Sequence, residues 1–214
     1  MAYRSIEWLE DPGALRLIDQ RKLPEKTEYL DYTTAAEVAT AIRDMVVRGA
    51  PAIGTAAAYG LALVARHTQA EDADTLRAEL DVGAGTLAAS RPTAVNLFGA
   101  IKRVMGRVAD ERLDTVAALR DAVLAEAHAI AEEDVRINKA IGMHALPLLP
   151  DPCTAIHHCN TGSLATVDYG TALGIIRTAH EHGKRIQVLV DETRPRLQGA
   201  KLTAWELKEL GIPH

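Results

Sequence analysis

Aromatic side chains are scarce: one Phe, two Trp and five Tyr, 4% of the chain. With so few rings the core must be mainly aliphatic, and the abundance of alanine favours closely packed helices. Cysteine is rarer still, two in 214 residues, which excludes a disulfide framework. Cys153 and Cys159 fall in one apparent strand. At ~3.3 Å per residue their Cα atoms stand about 20 Å apart, whereas a disulfide needs roughly 4.4–6.8 Å. They are not expected to pair, which fits the cytoplasm.

Basic charge is also in deficit. Lys and Arg number 24 against 29 Asp and Glu, a net charge of −5. This speaks against a nucleic-acid binder, which needs a broad basic face. It leaves room for a phosphorylated small molecule, which a few local arginines can hold. Long apolar runs are missing too. Residues 1 to 30 are too charged for a signal peptide. The longest uncharged run, "GAPAIGTAAAYGLALVA" over 49 to 65, falls short of a ~30 Å bilayer core at ~1.5 Å per residue. It reads as a buried helix, with no membrane partner.

What is present divides into two patterns. "SIEWLE", "LRLID" and "TEYLDY" are short alternating segments, and "DPGA" is a turn, so a hairpin or small antiparallel sheet is expected. Thr34 followed by Glu37 is a capping box. Ala35, Val38, Ala39, Ile42 and Val46 follow it at helical spacing. Gly49 suits the end of that helix and Pro51 the first turn of the next. Further helices are predicted over 71 to 89, 93 to 108 and 114 to 142. In the last, Val116, Leu119, Val123, Ile130, Ile137 and Ile141 form one stripe, with Asp134 on it and Asn138 a turn later. An internal hydrogen-bonded pair accounts for those two.

After the proline-rich stretch 143 to 152 the pattern changes. "CTAIHHC" and "RIQVLVDE" read as strands. "SLATVDYGTALGIIRTAHEHG" and "LTAWELKELG" read as helices. Strand and helix alternating at this spacing predict a parallel α/β unit. The fold class expected is therefore α/β, with a mainly helical N-terminal domain over 1 to 142 and a small β-hairpin region within it. A linker over 143 to 152 leads to the first part of a Rossmann-like domain over 153 to 214.

Cys159 stands at the C-terminal end of the first predicted strand, before a predicted helix. Ligands of parallel sheets bind outside such strand ends. A helix N-terminus stabilises negative charge. A small buried hydrophobe is the other fate of a free cysteine, and position alone leaves both open. Asp191, Glu192 and Arg194, at the end of the second strand, face the same crevice by this rule; a polar loop capping the next helix is the alternative. His157 shares a strand face with Cys159, but the spacing supports no metal site. Arg48, at a junction of two helices, and Arg91, before Pro92, either balance helix ends or grip a phosphate or sugar.

"RGAPAIG", "RPTAVNL", "HCNTGSLAT", "DYGTALGIIR" and "DETRPRLQGAKLTAWEL" together resemble the S-methyl-5-thioribose-1-phosphate isomerase family of methionine salvage, along the whole chain. More distant relatives are ribose-1,5-bisphosphate isomerases and regulatory subunits of the exchange factor for eukaryotic initiation factor two. The resemblance implies conversion of a 1-phosphorylated aldose into a ketose phosphate, with no cofactor and no metal. Cys159 matches the family's catalytic cysteine. Arg48, Gly49, Ala50, Arg91 and Gln198 match its substrate-binding positions. It also implies a homodimer when the chain is complete. The family's catalytic aspartate, in a "GADRI"-like motif, and its Asn-Lys pair are not matched, so this chain is expected not to turn over alone. A non-catalytic regulatory subunit and a ribose-1,5-bisphosphate isomerase are the rivals.

Overall fold

A computed structural model describes residues 3–214. The chain starts with an antiparallel sheet in the order β1 (Ile6–Leu9), β2 (Ala14–Ile18), β3 (Tyr29–Tyr32). The "DPGA" turn is as expected. Gly13 takes φ 83°, and its N–H closes the turn onto the Leu9 carbonyl at 3.0 Å. Central β2 buries every residue except Arg16, which is half-exposed. Arg16 pairs across the ladder with Asp31, the residue opposite it, at 2.7 and 2.8 Å.

Five helices follow: α1 (Ala35–Arg43), α2 (Ala50–His67), α3 (Ala73–Ala88), α4 (Val95–Val108) and α5 (Val116–Ala145). The Thr34 capping box starts α1: the Thr34 hydroxyl accepts from the Glu37 N–H, and the Glu37 carboxylate accepts from the Thr34 N–H. Helix α2 is apolar nearly all round, and the other four helices and the sheet enclose it. Leu61 and Leu63 on it have no solvent exposure. α1 stops at Arg43, before "MVVRG", so Arg48 lies in the connection to α2 rather than in a helical last turn.

The stripe predicted on α5 holds only in its first half. Leu119 and Val123 are buried, but Ile137 and Ile141 are exposed. The buried line passes instead through Ala127, Ala131, Asn138 and Gly142. A stripe read at seven-residue intervals drifts ~20° per heptad on a straight helix. Over this long helix the drift swings Ile137 outward and brings Gly142 against Thr178. α5 runs three residues past its predicted end, and Leu146–Leu148 then form a 3₁₀ turn.

The C-terminal part has two parallel strands, β4 (Cys153–His157) and β5 (Ile186–Val190), and helices α6 (Ala172–Glu181) and α7 (Ala204–Glu209). Ile186 and Val188 pack with Leu173, Ile176 and Leu207 of the helices. Ile156 and Leu189, on the other sheet face, are exposed. This α/β character agrees with the sequence, but the element bounds do not. The predicted helix from Ser163 to Gly183 is only a 3₁₀ turn, Ser163–Ala165, an irregular stretch, and then α6. Tyr169 and Gly170 take φ 82° and 91° there, and the Val167 N–H goes to Asp134 of α5 at 2.9 Å. The remaining bonded N–H groups of the stretch go to short-range or distant backbone carbonyls rather than to i−4 partners, as Gly170 to Asp168 at 3.1 Å and Thr171 to Thr161 at 2.8 Å. Likewise the final helix begins as a π-helical turn, Gly199–Thr203, ahead of a short α7. No helix of the described residues is long and apolar enough to cross a membrane.

Candidate functional site

A cleft of about 320 Å³ opens where the α1–α2 connection, the segment before α4, and the loops after β4 and β5 meet. Four of the residues singled out in the sequence line it together: Arg48, Arg91, Cys159 and Gln198. Gly49 lines it as well. Its φ is 101°, and a Cβ there would run into the backbone of Ala165, so only glycine lets the Arg48 segment approach the Ser163–Ala165 turn so closely. Ala50 opens α2 beside this point, but it is not a lining residue.

Cys159 is not where the strand pattern put it. β4 ends at His157, and Cys159 lies two residues beyond, with φ 67°. It therefore shares no strand face with His157, whose buried ring bonds through Nε2 to Thr161 Oγ1 at 2.9 Å. Burial, then the neighbouring His158, holds the His157 pKa below its ordinary value. Nor does a helix start just after Cys159. The N-terminus of α6 is spent locally, with the Leu173 N–H donating to Thr161 Oγ1 at 3.0 Å. The backbone of Cys159 is held by two threonines instead: its N–H donates to Thr193 Oγ1 at 2.9 Å, and its carbonyl accepts from Thr203 Oγ1 at 2.6 Å.

The predicted crevice position of Asp191, Glu192 and Arg194 is also corrected. None of them lines the cleft. β5 stops at Val190 and the chain swings away at Thr193, φ 60°. Asp191 then pairs with exposed His158 at 3.0 Å, and Arg194 lies 3.9 Å from Glu192. The same turn brings Arg196 to the cleft. Sequence reasoning missed Arg196, although it stands two residues before Gln198 in the same loop. Asn160 and Met45 were missed too.

The electrostatics are lopsided. Three guanidiniums line the cleft and no carboxylate does. Among the described residues, Arg48, Arg91 and Arg196 have no ion-pair partner. Burial, and then the nearby Arg196, push the Arg48 pKa below its usual value, with Cys159 pulling the other way. Gln198 adds a buried side-chain oxygen that accepts no hydrogen bond. An anion carrying hydroxyl groups would satisfy both deficits. Backbone strain concentrates here as well. Of the non-glycine residues with positive φ, Met45 and Cys159 line the cleft, Thr193 bonds to Cys159, and Leu197 adjoins Gln198. Such conformations cost ~1–3 kcal/mol each and cluster at functional sites. By contrast, a larger hollow of about 530 Å³ at the other end of the β4–β5 sheet has its cations engaged. There Lys184 donates to the Leu149 carbonyl and Arg185 pairs with Asp151.

Residues 46–214 match the initiation factor 2 subunit family. The chain belongs to that family. Over 99% of its length it is 54% identical to a methylthioribose-1-phosphate isomerase of Synechococcus sp., covering 60% of that protein. It is 57% identical to methylthioribose-1-phosphate isomerase 2 of Pseudothermotoga lettingae, again over 60% of the relative. Among solved structures, the 5-methylthioribose 1-phosphate isomerase of Pyrococcus horikoshii superposes with a TM-score of 0.93 at 38% identity. That match covers 98% of this chain and 58% of the other. A structure described as translation initiation factor eIF-2B, subunit delta, from A. fulgidus gives 0.91 at 46% identity, covering 99% and 61%. The chain thus spans about three fifths of the length of the relatives it matches.

Proposed function

We propose that this chain binds S-methyl-5-thioribose 1-phosphate and takes part in its isomerisation to S-methyl-5-thioribulose 1-phosphate, with Cys159 as the reacting side chain. The observation that carries the reading is the cleft itself: three guanidiniums without carboxylate partners around a thiol, beside the unpaired oxygen of Gln198. Relatives at 54% and 57% identity named for this reaction support it.

The chemistry asks for such a site. A sugar phosphorylated at C1 cannot open to a free aldehyde. The ring bond from C1 to oxygen must break while hydrogen moves from C2 to C1. The carbonyl forms at C2, and the proton lost from the C2 hydroxyl is matched by one gained at the ring oxygen. Arg48, Arg91 and Arg196 would hold the phosphate, and charge-assisted contacts of this kind are the strong ones. Gln198 would accept from a sugar hydroxyl. Cys159, beside the reacting carbons, would move the hydrogen or assist its transfer in a site shielded from water. The working form under this reading is a cytoplasmic homodimer, with no nucleic-acid partner.

Calorimetric titration of the purified chain with S-methyl-5-thioribose 1-phosphate tests the reading. Binding accompanied by protection of Cys159 from iodoacetamide is expected. Tighter binding of ribose 1,5-bisphosphate would move the substrate to the bisphosphate isomerases. Binding of neither sugar would leave a non-catalytic subunit.

A further inference from the structure

Glu206 lies on α7, wholly inside the protein, and has no ion-pair partner among the described residues. Its carboxylate collects four donors from two parts of the chain, Tyr3 and the segment 160–164. Oε2 accepts from Ser163 Oγ at 2.7 Å, from Tyr3 Oη at 2.9 Å and from the Leu164 N–H at 3.4 Å. Oε1 accepts from Asn160 Nδ2 at 2.7 Å. Gly162 rests against the same carboxylate so closely that any Cβ would collide with it. One turn earlier, Thr203 is equally buried. Its hydroxyl donates to the Cys159 carbonyl and accepts from Asn160 Nδ2 at 3.2 Å. The segment 159–164, which carries the thiol, is thus gripped from beneath by two side chains of one helical turn.

We propose that Thr203 and Glu206 are positioning residues that hold Cys159 in its left-handed conformation and keep its sulfur at the cleft. A non-glycine residue at φ 67° persists only where its surroundings over-determine it. Here the surroundings are the Thr193 bond on one side and the Thr203 bond on the other. Neither Thr203 nor Glu206 lines the cleft, so each acts through its neighbours. Glu206 fixes Asn160, Ser163 and Leu164, and with them the path of the loop. A fully bonded buried network of this kind specifies one geometry, whereas an apolar plug would tolerate several. The role rests on Cys159 being the reacting group, but the position of the thiol can be read without turnover.

The test follows the purified chain by amide hydrogen exchange and by alkylation with iodoacetamide, in wild type, Thr203→Val, Thr203→Ser and Glu206→Gln. Thr203→Val keeps the shape and removes the hydroxyl. Exchange at Cys159 and Asn160 should rise at least tenfold, and the alkylation rate of Cys159 should shift at least threefold. Cys153 alkylation and the amides of Leu61 and Leu63 in α2 should stay within twofold of wild type. Thr203→Ser restores the hydroxyl and should match wild type throughout. Glu206→Gln, which offers one acceptor oxygen where there were two, should raise exchange at Asn160 and Leu164 at least threefold. If Thr203→Val does not fold, Glu206→Gln decides alone. An unchanged Cys159, or equal acceleration at Cys153 and in α2, would overturn the proposal by making these groups general supports of the fold. Failure of the isomerase reading would show separately, as a sugar that does not bind while this local signature persists.

Discussion

Helix α2 and the loops around the cleft touch at Gly49, yet they are built by opposite rules. From Gly54 to Ala65, α2 has no charged side chain and is buried at every residue except half-exposed Val64. Its backbone groups are satisfied within the helix, as in any regular helix interior. Around the cleft the backbone is held by the side chains of Thr193 and Thr203, four residues take left-handed conformations, and three arginines face one another without a counter-charge. The helical layer carries stability. The cleft holds strain and uncompensated charge, which a ligand can relieve.

The contrast can be broken by finding substitutions that affect both regions. Under the proposed reaction, Cys159→Ser should have the largest effect: introduced into a form of the protein that turns over, it should lower turnover ~10²-fold or more, in the range of acid–base contributions. Its melting temperature should hardly move. Near-normal turnover in a steady-state isomerase assay would sink the assignment. Leu61→Ala, fully inside the helical layer, should do the reverse. A cost of roughly 2–5 kcal/mol in unfolding free energy is expected from urea titration, with sugar binding preserved in the folded protein. A comparable loss of binding would show that the two regions are not separable.

Smaller effects sharpen the comparison. Arg91→Ala and Arg196→Ala should each weaken sugar-phosphate binding tenfold or more, given ~1.5–3 kcal/mol for a charge-assisted contact. Neither should lower stability, because no carboxylate is left unpaired. Unchanged affinity by calorimetry would make that arginine a bystander. The smallest effect expected is one of pH. Burial raises the Glu206 carboxyl above its ordinary 4.5, outweighing the four donors. The folded state then binds the proton more tightly than the unfolded state. This contribution is fully present below about pH 4.5 and is lost as pH rises through the folded value. Thermal melts of wild type and Glu206→Gln across this window should show wild type losing ground to the variant as pH rises. Parallel curves would mean that the carboxyl titrates normally.

Much of the scaffold was legible in the sequence because it depends on neighbours in the chain. The Thr34–Glu37 box, the Gly13 turn, Pro51 in the first turn of α2, and the alternation of strands and helices after residue 152 all follow from local chemistry, whereas Gly49, expected to end α1, instead caps the start of α2 six residues after α1 stops. The grouping of Arg48, Arg91, Cys159 and Gln198 was suggested by resemblance to a family, not by spacing. Where reasoning from pattern failed, a distant group was in control. Asp134 takes the Val167 N–H, Thr161 takes the Thr171 N–H, and Tyr169 and Gly170 stand at positive φ, so the chain is helical only from Ala172. Thr193 turns the chain, which removes Asp191 from the cleft and brings Arg196 in.

Composition and period therefore determined on their own that the core is aliphatic, that helices precede a parallel α/β unit, and where most elements lie. Tertiary structure alone decided which loop residues meet. The conformation of Cys159 is set by threonines 34 and 44 positions away in sequence and by a carboxylate on α7. No periodicity in a single strand or helix encodes such contacts, because a left-handed residue is unfavourable locally and is held only by what the fold places around it.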